Sequence, residues 1–450
     1  MTPTETLAHH VLKTSYEDLP ADAVLAAKIF FLDTLGVGIA GARTEYTELV
    51  RSVASAWGQC DDATVLGSSL RLPAPSAAFV NAYQIHCQEF DCVHEAAVVH
   101  QMATLFSGLM AEMERGGGVR GRAAITALAV GVDVSAGLGV AAPSALKFFR
   151  PATAGIFGTT AAIASLRQFT PGQLLNAWGY ALAQAGGTMQ AHVEGKPALP
   201  IQIGHAARNA IVACDLAEAG LPGPEDSLTG PFGYLTLFED EVDWEKGFGA
   251  LGDVWRIAQV SHKPYPTGRA AQGGIVALQT LRERGVTAET LDRLVLTAPP
   301  LIHRLVGRRP VRPLTVNYAR LCFAYLGATV LETGSVGLGE FTEAALGDEG
   351  RLSLSDRIFV EEAGTGTPFD FVPQTLTAYL KGGTVLTETV TAMPGGPGAP
   401  LSRDAHLEKF SACVRHGVPG VRDEDITHVI DRVDDLELED NVGAFAALLR

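Results

Sequence analysis

Three observations predict a mainly α-helical fold with a smaller α/β unit inserted into it. Apolar helical patterns punctuated by glycine fill residues 22–219. Short runs that read as strands are confined to 262–394. Helical patterns then return after the Pro- and Gly-rich stretch 394–400. The expected architecture is a large all-helical domain built from both chain ends, 1–261 and 395–450, with an α/β lid, 262–394, between them.

The elements follow in order. Residues 22–40 are apolar almost all round, the mark of a buried helix. Helices are expected over 44–57, 74–89, 102–115, 123–139, 152–166, 171–185 and 203–219. Gly41, Gly116 and Gly220 stand where helix C-termini favour glycine. Thr170 before Pro171 reads as an N-cap followed by a proline in the first turn. Strands are expected at 291–297, 356–361, 375–379 and 384–391, the last two joined as a hairpin through Lys381-Gly382-Gly383. Helices 270–284 and 318–331 lie among them, and 402–416, 424–433 and 441–450 close the chain.

Composition excludes several function classes. The 450 residues carry a net charge of −16, against the basic footprint of a nucleic-acid binder. Six cysteines occur without a CxxC pair, which fits a reducing, cytoplasmic setting. No basic and apolar leader follows Met1. The longest apolar stretches, 23–42 and 123–142, contain Lys28 and Asp33 or Asp133, so no membrane span is expected. Neither a phosphate-binding GxxxxGK[ST] loop nor a GxSxG elbow is present. His94 and His100 are six apart, which is not the i, i+4 spacing of a helical metal pair, so no metal and no cofactor are expected.

The densest polar run is His86-Cys-Gln-Glu89-Phe-Asp91-Cys-Val-His94-Glu95, leading to His100-Gln101 between two apolar helices. Such a loop either carries chemistry or is merely solvated and capped. Arg150-Pro151 opens a helix, where a cation opposes the dipole unless it shares an anion with the backbone N–H groups or pairs with a nearby acid. His262-Lys263-Pro-Tyr265-Pro-Thr-Gly268-Arg269 lies at the expected domain junction, as a linker or as a place to hold a carboxylate. Lys196 stands in a Gly/Pro loop, and Tyr325 reads as a half-buried aromatic.

Six segments in this order resemble the MmgE/PrpD family: FLDTLGVGIAGA, EFDCVHEAAVVH, RPATAGIFGTTAA, the stretch from VEGKPALP to TGPFG, HKPYPTGRAA and YARLCFAYLGATVL. The resemblance runs from about residue 5 to 445. It implies a cofactor-free homodimer with a large helical domain, a smaller lid and an active site between them. The family includes 2-methylcitrate dehydratase, cis-aconitate decarboxylase and an iminodisuccinate epimerase. Carried over by position, the family's Asp-Asp becomes Asp91-Cys92 and its His-Pro becomes His100-Gln101. A second family His becomes Arg150, the decarboxylase Lys falls on Leu199, and a later His becomes Gln272. Lys263, Tyr265 and Tyr325 keep the family pattern.

The resemblance implies a lyase that removes a proton or a carboxylate from carbon next to a carboxylate of a small anionic substrate. His100 is then the expected acid or base, with Asp91 and His94 beside it and Tyr325 as a proton donor. Arg150 and Lys263 are expected to clamp carboxylates, with Lys196, Arg269 and Gln272 as further substrate contacts. The first expectation is dehydration of a hydroxy-di- or tricarboxylate. Epimerisation by the same carbanion and non-catalytic carboxylate binding are the alternatives.

Overall fold

A computed structural model describes residues 2–143, 146–364 and 370–450. The chain is 57% helix and 8% strand. The helices form where the apolar patterns lie, at Ala21–Ala40, Ala74–His86, Gln101–Arg115, Gly121–Val140, Gly155–Leu166, Pro171–Gln184 and Ala198–Glu218. Thr170 caps Pro171–Gln184 in a capping box with Gln173, as its sequence predicts. Expected helix 152–166 is broken at Ala154 into a turn, Arg150–Thr153, and the helix Gly155–Leu166.

The sheets are small. β1 (Ala63–Thr64) pairs antiparallel with β2 (Arg71–Leu72). β3 (Leu291–Ala298), β4 (Ile358–Glu362), β5 (Gln374–Leu380) and β6 (Val385–Val390) form one sheet in the order β4-β3-β5-β6. β4 runs parallel to β3, with Leu294 opposite Ile358, while β5 and β6 are antiparallel. The β5–β6 hairpin turns at Gly383, whose φ of +82° is open to glycine at no steric cost.

Buried apolar side chains fall into two clusters. One joins residues between Leu7 and Val260 with residues between Phe410 and Leu449. The other lies between Ala270 and Met393 and covers one face of the four-stranded sheet. The C-terminal helix Arg403–Gly417 lies along Ala21–Ala40 at close range. A Cβ on Gly36 would sit 2.7 Å from the Phe410 ring, and one on Gly417 2.1 Å from the Ile39 carbonyl, so glycine is what lets these two helices touch.

Two helices, Ala21–Arg43 with its 3₁₀ extension and Gly121–Val140, are long and apolar enough to cross a bilayer despite Lys28, Asp33 and Asp133. The sequence expectation that these charges disqualify them does not hold by length and composition. Packing accounts for their apolarity instead: 78% and 94% of their apolar windows are covered by the rest of the chain. Asp133 is itself buried and receives the Arg256 N–H at 2.9 Å and His10 Nε2 at 3.1 Å.

Candidate active site

The polar run lies in the loop between Ala74–His86 and Gln101–Arg115. Glu89 and Val98 both adopt φ of +51°, a conformation rare for a β-branched residue and typical of loops held by their surroundings. Two backbone bridges hold it. His94 and Val99 exchange hydrogen bonds of 2.9 and 3.3 Å, and Val93 and Ser261 exchange bonds of 3.1 and 2.8 Å. The second bridge delivers Lys263, remote in sequence, to the loop.

Asp91 stands at the centre. Its Oδ2 accepts from His86 Nδ1 at 3.0 Å and from His100 Nδ1 at 3.1 Å. An ionised carboxylate only accepts, so both imidazoles carry their hydrogen on Nδ1. Lys263 Nζ is 3.9 Å from Asp91 Oδ1 and donates to Glu89 Oε2 at 2.9 Å and to the Glu89 carbonyl at 3.2 Å. Burial would raise the Asp91 carboxyl, but His86, His100 and Lys263 together hold it well below the usual carboxylate range. Burial opposes the Glu89 carboxylate too, and Lys263 and His86 overcome it, bringing the group down to about 2.

The two imidazoles differ. At His86 burial favours the neutral ring, yet Asp91 and Glu89 outweigh it and raise the pKa. At His100 burial and then Lys263 prevail over Asp91, and the pKa is lowered. His100 is 13% exposed while His86 and Asp91 are at 1% and 0%. Its Nε2 has no hydrogen-bond partner among the described residues. It therefore presents a neutral ring with a free lone pair, oriented from behind by a carboxylate.

His100 lines a cavity of about 60 Å³ together with Glu89, Pro151, His192, Arg269 and Phe371. The walls thus come from segments belonging to both buried clusters. Arg269 Nε and Nη2 grip Glu95 Oε1 at 2.8 and 2.6 Å, and Gln272 Oε1 steadies Arg269 Nη1 at 2.9 Å. Burial and then Arg308 push His192 down to about 4. Arg308 Nη2 lies 3.3 Å from His192 Nδ1, which fixes Nδ1 as the acceptor and leaves the proton on Nε2.

Asp91, His100, Lys263, Arg269 and Gln272 are thus brought together, and four other expected residues stand apart. Arg150 is 2% exposed, and its fork is filled by Glu239 at 3.0 and 2.8 Å, with Nη1 donating to the Ala97 carbonyl at 3.3 Å. Only its neighbour Pro151 reaches the cavity. His94 accepts the Ala97 N–H at 3.2 Å and bonds Gln259 at 3.2 Å, so both ring nitrogens staple the loop, and burial lowers it to about 4. Tyr325 turns into the second cluster and donates to the Glu340 carbonyl at 2.9 Å. Lys196 is exposed and does not line the cavity. The expected carboxylate clamp is also altered at Lys263, whose ammonium is already held by Glu89.

His86, Glu89 and His192 were not among the expected site residues. The first two lie in the same polar run, five and two residues before Asp91, and that proximity was the available signal. His192 lies in the short helix Gln190–Glu194, four residues before Lys196, and carried none. Among the described residues, two groups have metal-ligand geometry: His86 with Asp91 and His100, and Asp33 with His262 and His406. In each, a lysine ammonium already faces the carboxylate, Lys263 at 3.9 Å and Lys409 at 2.7 Å, and supplies the positive charge that a metal would bring.

The sequence signatures of the MmgE/PrpD N-terminal domain and C-terminal domain match residues 5–246 and 265–435. The chain belongs to the MmgE/PrpD family. Its relatives include the cis-aconitate decarboxylase-like protein oryM of Aspergillus oryzae, 28% identical over 99% of this chain and 97% of that protein. The cis-aconitate decarboxylase of Mus musculus is 26% identical over 95% of this chain and 89% of its own length. That of Homo sapiens is 26% identical over 96% and 91%. The MmgE/PrpD membership and these relatives support an enzyme of the lyase type.

Proposed function

We propose that the protein is a cofactor-independent lyase that dehydrates a small hydroxy-di- or tricarboxylate, with His100 as the base. The observation that carries this reading is the free Nε2 of His100, held neutral and aimed from Asp91 into a cavity. A neutral imidazole with a lowered pKa is a competent base and a poor acid at neutral pH. Dehydration begins with loss of a proton from carbon, which that state serves. Decarboxylation ends with proton donation to carbon, which it serves less well. His100 Nε2 takes the proton from the carbon beside the carboxylate, and the proton leaves with the hydroxyl group as water. Arg269 exchanges its Glu95 partner for a substrate carboxylate. His192 Nε2–H donates to the oxygen on which charge builds. The cavity equals roughly two waters' share of liquid volume, so the Arg269–Glu95 wall must open for substrate.

Decarboxylation is the second reading, favoured by the names of the relatives. Both are tested by incubating the enzyme with citrate, 2-methylcitrate and cis-aconitate in deuterium oxide and following the products by NMR. Water loss from a hydroxy acid supports dehydration, and carbon dioxide release from cis-aconitate supports the second reading. Deuterium wash-in without net loss supports an epimerase. Absence of all three, or full activity in His100→Ala, overturns the assignment.

The same reading includes a division into a helical unit, 1–261 with 395–450, and an α/β unit, 262–394, supported by the two separate buried clusters. It also includes a homodimer in the cytoplasm. Phe232 at 77% exposure and Leu237 at 53% leave apolar surface for a second copy. The six cysteines are unpaired, as in a reducing compartment. Sedimentation equilibrium giving the monomer mass at micromolar concentration would remove the dimer from the proposal.

A further inference from the structure

A second and larger cavity, about 710 Å³, lies on the other side of the catalytic loop: Gln88 lines it, while the next residue, Glu89, lines the cavity of His100. At its inner end stands Arg320, 3% exposed, whose Nε and Nη1 have no hydrogen-bond partner among the described residues. The guanidinium lies over the Phe341 ring at 4.5 Å, which fixes its plane without using its donors. Gln88 Oε1 is also unpartnered, its Nε2 being spent on the Ala40 carbonyl at 3.1 Å. A buried cation with idle donors is costly unless an anion completes it. Arg150, Arg269 and Arg308 each donate to at least one protein acceptor, although Arg308 Nη1 is left idle too. Arg320 is the exception, and it is the one that faces a cavity large enough for an organic molecule.

The remaining walls define the rest of the ligand. Leu314, Leu338, Leu346 and Leu352 line the cavity beyond Phe341 and offer nothing to a second charge. Arg43 and Arg312 also lie on the lining and add positive character, His416 is kept neutral by burial and by Arg320 and Arg43, and Glu45, Glu343 and Glu349 disfavour a polyanion. We propose that this cavity binds an organic anion with one carboxylate or phosphate head on Arg320 and an apolar body along the leucines. Such a ligand differs from the substrate of the His100 cavity, which is small and polar. The site is tied to that cavity in two ways: the Arg320 carbonyl accepts the N–H of Gly268, a lining residue of the His100 cavity, at 3.0 Å, and the charge of Glu89, another lining residue, acts on the Arg320 guanidinium.

The test is isothermal titration of the full-length protein with octanoate, octyl phosphate and octanol. At least one of the two anions is expected to bind once per chain, and octanol at least about tenfold more weakly. Arg320→Gln is expected to weaken the anion roughly ten- to a hundredfold and to leave octanol unchanged. Leu346→Trp keeps Arg320 and fills the apolar part, and is expected to abolish binding of both anions; it covers the case in which Arg320→Gln fails to fold. His100→Gln is expected to bind as the wild type does. The preferred anion identifies the head group. The proposal is overturned if neither anion binds the wild type, if octanol binds as tightly, if folded Arg320→Gln retains full affinity, or if His100→Gln loses it.

Discussion

Two buried clusters use the same four ingredients and differ in one respect. Around Asp91 are His86, His100 and Lys263; around Asp33 are His262, His406 and Lys409. In the second cluster His262 Nε2 and His406 Nδ1 bond each other at 3.1 Å, and Lys409 stands 2.7 Å from Asp33. Asp33, His262 and His406 are all buried, and none lines the cavity of His100. In the first cluster the Nε2 of both imidazoles lacks a hydrogen-bond partner among the described residues, and that of His100 opens on a cavity. Acids, bases and lysines buried together are thus not by themselves a site; an unspent lone pair with room in front of it is the difference.

The largest expected effect is on acid stability, and it separates His86 from His262 by sign. Burial lowers His262 to about 3 and His94 and His192 to about 4, against ~6.5 in the unfolded chain. Between these values the unfolded chain binds more protons, so stability is complete above pH ~6.5 and falls as pH drops toward 4. Each histidine adds a slope of up to about 1.4 kcal/mol per pH unit. His86, raised in the fold, contributes stability below pH ~6.5 that is lost as pH rises through its folded value. Urea denaturation from pH 4 to 8 should show His262→Asn flattening the acid slope and His86→Asn leaving it.

Removing Asp33 strands Lys409 in the core. Asp33→Ala should cost about 3–5 kcal/mol in urea unfolding while turnover per folded molecule stays at the wild-type level. Equal loss of turnover would break the distinction drawn between the clusters. His100→Ala should do the reverse: kcat falls ~10²-fold or more and Tm stays close to that of the wild type. Asp91→Asn should lower kcat as well, since an amide no longer dictates the His100 tautomer. The smallest effect is expected at Arg150. Arg150→Lys loses the two-point contact with Glu239 and should cost about 1–2 kcal/mol of stability with KM little changed. A large rise in KM would restore Arg150 to the substrate.

Much of the fold is legible in the sequence because local rules decide it. The apolar circumference of Ala21–Ala40, the Thr170 cap and the glycine turn of the β5–β6 hairpin each contain their own cause. Segment 441–450 shows where that ends: it reads as a helix but forms only the 3₁₀ run Val442–Ala447, with Gly443 against the backbone of Met113 and Glu114. The site was legible where its residues share one loop, as Asp91 and His100 do. Arg150 was misread because its partner Glu239 lies 89 residues away in a stretch with no pattern. Tyr325 was misread because the carbonyls of Glu340 and Ala345 that hold its hydroxyl belong to backbone, which no side-chain motif reports.

His262 and Lys263 are consecutive, yet each serves a different cluster. The stretch Ser261–Lys263 therefore behaves as an axle fixed in two bearings, with Val93 clamping one end and Gly395 receiving the His262 N–H at 2.9 Å. An axle of this kind transmits torque but does not bend. Further along, Gly268 is held by one backbone bond to Arg320, and Arg269 by Glu95, Gln272 and the carbonyls of His262 and Pro394. The Gly268 N–H on the Arg320 carbonyl thus joins the wall of the His100 cavity to the residue whose guanidinium faces the second one.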